Sequence, residues 1–282
     1  MNPALYAVRL GIRRGLTQFR HIMTTGEGLF STILWNGIPV IILFFNRDST
    51  IEGSALPWAT VVLPGFLGLM VAASAMGPAY YLAAEREDGT LLRAKAVPHG
   101  MVGYVAGMLV QSCLETMVGV ALLLATGFIL FPGFGPNGVV GAVILVVILV
   151  LGLLATLPLG LIVGSIVRSA RTIGFLSVVM LGAVTLISGI VIPLQSMWGW
   201  LQVVGQLLPV YWLGLGMRFA FLPESAVAWE IGGSWRLPEM FAVLTAWAVV
   251  GLLVAPVVLR RMARRESGSA VASRREAALQ RL

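Results

Sequence analysis

The residues of this 282-residue chain with the most chemical potential sit in one short stretch, Glu85-Arg86-Glu87-Asp88-Gly89-Thr90-Leu91, lodged between two long apolar runs. A charged helix start in that place does not serve burial. It lies in water, tethered at both ends, and presents a handle to a soluble partner. The other reactive groups are few. The only lysine is Lys95, in Arg-Ala-Lys-Ala-Val, so there is no Walker A motif and the chain is not itself an ATPase. His21 and His99 stand apart with no catalytic motif around them. Cys113 is the single cysteine, which excludes an intrachain disulfide and a cysteine metal cluster. The chain is therefore read as non-enzymatic, with no metal and no cofactor of its own. One acid, Glu115, falls inside an apolar run, with Gln111 one turn earlier. Ionisable residues inside a membrane are costly and point to function by default. Glu115 is read as a substrate counter-ion or a proton carrier, against a hydrogen-bonded structural acid at a helix contact.

The elements that must position these groups are membrane spans. Hydrophobic residues make up 58% of the chain and charged residues 11%, well below the quarter usual in a soluble domain. A net charge of +7 would suit nucleic acid. The arginines instead cluster at the ends of apolar runs, as membrane orientation requires, so no nucleic-acid partner is expected. Six runs can cross a hydrocarbon core, near 29–46, 57–82, 101–131, 139–167, 171–193 and 238–260. Asn36, Gly37 and Pro39 make the first the weakest. It is read as a retained span, because no cleavage site follows it closely. Sixteen of the 19 Lys and Arg lie in 1–28, 83–100, 168–171 and 260–282; Arg47, Arg218 and Arg236 lie in the opposite segments. This asymmetry puts both termini in the cytoplasm of a multi-pass plasma (inner) membrane protein. Trp58, Trp198, Trp200, Trp212, Trp229 and Trp235 then form an outer aromatic belt. Eighteen arginines against one lysine suit a GC-rich bacterial genome.

Three segments are not spans. Over 1–28, Leu5, Val8, Ile12, Leu16, Phe19 and Met23 recur at helical spacing, flanked by Arg9, Arg13 and Arg20. That pattern predicts an interfacial amphipathic helix that braces the bundle or rests on anionic lipid. Residues 194–237, divided by Pro209 and Pro223, predict short helices dipping into the outer leaflet. The tail over 261–282 is basic, and a stop-transfer anchor is the preferred reading. In the charged handle, Glu85, Glu87 and Asp88 would surround the start of a short helix, Leu91 and Leu92 would form an apolar knuckle, and Pro98 would end it. The pairs Gly103 and Gly107, and Gly160 and Gly164, allow close helix approach.

Glu-Arg-Glu-x-Gly-Thr-Leu after an apolar span, with a proline several residues on, resembles the signature of ABC-2 type permeases, including daunorubicin-resistance-like drug exporters. The resemblance extends to the amphipathic N-terminal helix, the six spans and the long outer segment. It implies an all-α integral membrane fold with a cytoplasmic coupling helix and, around 194–222, outer re-entrant helices. It also implies that Glu85, Arg86, Glu87, Gly89, Thr90 and Leu91 engage a separate ATP-binding subunit, present in two copies and carrying the ATP and magnesium. A second permease chain, identical or related, would complete a path that exports a drug-like, lipid or polysaccharide substrate. Ala94-Lys95-Ala96-Val97-Pro98 departs from the leucine and Thr-Pro usual in the family. Two other classes remain open from residues alone: an ion-coupled secondary transporter using Glu115, and a non-transporting membrane scaffold.

Overall fold

A computed structural model of the chain describes residues 3–50, 57–167, 169–190 and 194–265. Among these residues there is no β-strand, and six helical spans are long and apolar enough to cross a membrane. The molecule is an all-α, multi-pass membrane protein. Helix α1 (Pro3–Thr24) leads into α2 (Gly26–Phe45), the first span, which runs unbroken through Asn36, Gly37 and Pro39. The second span is two helices, α3 (Trp58–Ala73) and α4 (Met76–Glu87). A six-residue helix, α5 (Thr90–Lys95), connects α4 to α6 (Gly100–Leu130). Then come α7 (Gly138–Ile166), α8 (Ala170–Ile187), α9 (Gly199–Leu207), α10 (Pro209–Phe221) and α11 (Leu237–Arg265).

The expected organisation and the observed helices differ in four places. The second span continues to Glu87 instead of ending at 82, and it breaks at Ser74 and Ala75. Pro78 explains the break: it has no N–H for the Ser74 carbonyl, and its ring crowds that oxygen. Ser74 Oγ instead pairs with Thr156 Oγ1 of α7 at 2.9 Å, and Thr156 Oγ1 lies 3.2 Å from the Val71 carbonyl. The fifth span stops at Ile187, not at 193; residues 191–193 lie outside the described part. The last helix runs to Arg265 with Met262 and Ala263 buried, so the first residues of the expected tail are packed helix; 266–282 lie outside the described residues. The fourth difference concerns Trp212. It is 2% exposed inside α10, so it belongs to the packing and not to an interfacial belt.

Two kinds of contact hold the bundle. The main core joins α3, α7 and α10 through Leu63, Leu67, Ile148, Leu213 and Leu215. Around it, helices meet backbone to backbone at small residues. A Cβ on Gly11 or Gly15 of α1 would strike the carbonyl of Gly103 or Gly107 of α6. A Cβ on Gly160 of α7 would strike Ala75 at the break, and one on Gly164 would strike Ala79 of α4. Such seams are the usual packing in lipid, where apolar area alone does not drive helices together.

This changes the account of α1. Its buried face is the Gly11 and Gly15 side, while Leu5, Ile12 and Leu16 are exposed. Of the expected apolar stripe only Val8, Phe19 and Met23 are half-buried, and the closest contact with α6 is made by glycine. At 100° per residue, α1 shows small residues to α6 and Leu5, Ile12 and Leu16 on a second face, bordered by Arg9 and Arg13.

At the end of the bundle away from α5, α9 and α10 form a re-entrant hairpin. Trp247, ten residues into α11, donates its indole N–H to the Leu207 carbonyl at 2.9 Å. That sets the turn between α9 and α10 roughly 15 Å along α11 from its start. The returning end of α10 is capped by Asn137, whose backbone N–H meets the Ala220 carbonyl at 2.7 Å and whose amide reaches the carbonyls of Phe219 and Leu222. Arg218 of α10 pairs with Glu230 in the following loop, and both are buried.

Candidate functional site

The charged motif is built on the last turn of α4, not on the start of the next helix. Residues 82–87 are strong helix formers, so α4 runs on through Glu85, Arg86 and Glu87. Gly89 ends it: its φ of 84° is left-handed, a conformation that glycine takes without steric cost. Asp88 Oδ1 then accepts the Thr90 N–H at 2.7 Å and starts α5. Of the three acids expected around that start, only Asp88 serves it.

Consecutive helical residues point about 100° apart, so Glu85, Arg86 and Glu87 fan out toward three different helices. Glu85 Oε1 accepts from Arg14 Nη2 of α1 at 2.7 Å and lies 3.5 Å from Gln18 Nε2. Arg86 is buried, and its Nη1 donates to the carbonyls of Gly164 and Ser165 at 3.3 Å each, at the C-terminal end of α7. Glu87 Oε1 accepts the Ala170 N–H at 3.1 Å, at the N-terminal end of α8. Both charges suit their helix ends: a cation at exposed carbonyls, an anion at exposed N–H groups. Residues 86 and 87 thus clamp the two sides of the α7–α8 connection.

Leu91 is buried as well, at 1% exposure, so the expected knuckle is a plug. It sits in a cluster with Leu82 of α4, Tyr104 and Met108 of α6, Leu161 of α7 and Leu259 of α11. Burying such a side chain is worth about 2 kcal/mol. The exposed residues of this elbow are Glu87, Asp88, Arg93 and Lys95 through His99. Apart from Glu87 and Asp88 the motif therefore packs against the bundle, and the turn after it faces out.

The second predicted group, Glu115, lies halfway along α6 and meets α4. Tyr81 OH is 2.8 Å from both carboxylate oxygens, and Gln111 Nε2 donates to Oε1 at 3.0 Å. Tyr81 and Glu85 are one turn apart on α4, but the motif elbow and Glu115 have separate partners. Arg14, Tyr81, Asn137 and the Arg218–Glu230 pair carry contacts that the sequence does not mark. A signal for Arg14 exists: Ala7, Gly11, Arg14 and Gln18 share one helical face, so Arg14 belongs to the small-residue seam and not to the Arg9 and Arg13 face.

A family model described as ABC-2 type transporter matches residues 6–222, a range that takes in most of α1, the elbow, Glu115 and the re-entrant hairpin. No curated protein gives a significant match.

Proposed function

Since the chain belongs to the ABC-2 type transporter family, we propose that it is the permease subunit of an ABC exporter that moves a drug-like, lipid or polysaccharide substrate outward. Two ATP-binding subunits dock at the end bearing α5, and they hold the ATP and magnesium. A second permease chain, identical or related, completes the path. The excess of Lys and Arg at the α5 end supports placing that end, with both termini, in the cytoplasm of the plasma membrane.

One observation carries this reading: a six-residue helix hangs between two spans and is pinned into the bundle by charged joints and a leucine plug. A partner that pushes on the exposed side of α5, at Arg93 and the 95–99 turn, displaces the plug and the end of α4 together. Glu85 passes the displacement to α1, Arg86 to α7 and Glu87 to α8. Gly89 permits the sharp turn, and Thr90 and Leu91 fix α5 against it. In this mechanism the motif residues couple ATP use to the spans by transmitting force, while the residues after them make the contact.

The test is reconstitution. Alone, the purified chain should hydrolyse no ATP; co-expressed with its cognate P-loop ATPase, it should give a stable complex. In that complex, Glu85→Lys with Glu87→Lys should leave ATP hydrolysis running while transport falls to background. Intact transport in this variant would overturn the role given to the motif. Transport driven by an ion gradient with no ATPase would overturn the exporter reading itself.

A further inference from the structure

Among the described residues, eight have left-handed backbone, and six of these are glycine. The exceptions are His99, in the exposed elbow, and Arg236, whose φ is 44°. A side chain strains the backbone at such a φ, and glycine would remove the strain. Strain of this kind persists only where the surrounding structure holds it, and it points to a role for the side chain. Arg236 stands where α11 opens: its carbonyl accepts the Met240 N–H at 3.0 Å.

The Arg236 side chain reaches back onto the re-entrant hairpin. Its Nη1 donates to Gln206 Oε1 of α9 at 2.6 Å, and its guanidinium lies over the Trp212 ring of α10, 5.0 Å from the centroid. Gln206 Nε2 donates to the Gln202 carbonyl at 3.0 Å, so the tie runs on into the helix of α9. The two arms of the hairpin are held differently. In α10 every residue except Phe219 is buried; in α9 only Gly205 is, and Trp200, Val203 and Leu207 are exposed. The indoles of Trp212 and Trp247 donate to the carbonyls of Gln206 and Leu207 at 2.7 Å and 2.9 Å. They pin the backbone of the turn, which makes it a pivot. Arg236 grips a side chain instead, and so sets how α9 sits on that pivot. A second seat for the guanidinium lies close by. Glu239, three residues on and exposed, has its Oε1 3.8 Å from Arg236 Nε, beyond hydrogen-bond distance.

We propose that Arg236 is a two-position latch: seated on Gln206 it fixes α9 against the bundle, and drawn to Glu239 it frees α9 to move. In this arrangement α10 is the fixed frame, α9 the moving arm, and Arg236 a positioning residue that acts through α9. The proposal rests on the exporter reading above only for placing the movement at the exit of the transport path.

Hydrogen–deuterium exchange of the full chain in nanodiscs, without any ATPase, tests the latch. Arg236→Asn removes the reach of the side chain but tolerates left-handed backbone. It should speed exchange of the α9 amides by about tenfold or more, the scale of one lost charge-assisted hydrogen bond, and leave α10 unchanged. Arg236→Lys keeps the charge and a donor, and should hold α9 exchange near the wild-type rate. Glu239→Gln takes away the second seat and should slow α9 exchange below wild type, a direction that a purely structural contact would not give. Wild-type rates for α9 in Arg236→Asn would overturn the latch. So would faster exchange of α10 together with α9, because the arginine would then simply hold the fold. Unchanged or faster exchange in Glu239→Gln would overturn the second position. Each of these results leaves the exporter reading standing, whereas failure to assemble with an ATPase would remove that reading and leave the exchange rates untouched.

Discussion

Each end of the molecule is tied by an arginine–glutamate pair, and the two pairs are built for different work. At the α5 end, Arg14 and Glu85 join α1 to α4 with side chains 32% and 17% exposed. At the far end, Arg218 and Glu230 join the re-entrant helix to the loop beyond it with side chains 7% exposed each. Water reaches the first pair and screens it, so it can lengthen or exchange at small cost. The second is dry, and Tyr211 lies 3.5 Å from the same Glu230 carboxylate. A dry pair is costly to assemble and costlier to break. The contrast leaves one end of the molecule free to adjust and α10 at the other fixed in shape.

The comparison can be broken most directly at the dry pair. Arg218→Met leaves Glu230 buried and alone, and should cost about 3–5 kcal/mol in thermal unfolding of the detergent-solubilised chain. Arg218→Met with Glu230→Leu should recover most of that loss. A single variant that costs no more than its counterpart at the α5 end would erase the distinction. A smaller effect should come from the seam that carries α1. Gly11→Leu forces a side chain into the Gly103 carbonyl, at roughly 1–3 kcal/mol, and should expose the α1–α2 junction to limited proteolysis. The smallest change in stability should come from Arg14→Gln, at most about 1 kcal/mol because the pair is partly hydrated. Yet in the assembled transporter this variant should reduce transport while ATP hydrolysis continues. Equal loss of both would mean that the half-wet pair is merely structural.

The span pattern was legible because length and hydropathy suffice to mark a helix in lipid. The failures have physical causes. Large apolar residues at helical spacing mark a core-facing surface in water, so Leu5, Ile12 and Leu16 looked like the bracing face of α1. In a bilayer those side chains gain nothing by leaving lipid, and the contact passes to Gly11 and Gly15. The charges of 85–88 suggested a helix start because acids favour that position. Strong local helix propensity carried α4 through Glu87 instead, and glycine geometry at 89 decided the boundary. Glu115 and Gln111 could be paired from their spacing alone. Tyr81 could not, since nothing in a single sequence reports which residue of α4 faces which residue of α6.

The interruption of the second span at Ser74 and Ala75 separates its α5 end from the half that packs in the main core. Below it, the twelve residues of α4 are a rigid arm roughly 18 Å long. A tilt of about 10° at the break would carry the tip, with its three charged contacts, through roughly 3 Å. The arm could swing that far while α3 stays wedged against α10. A small stroke at the elbow could therefore reach three helices at once without first disturbing the centre of the bundle.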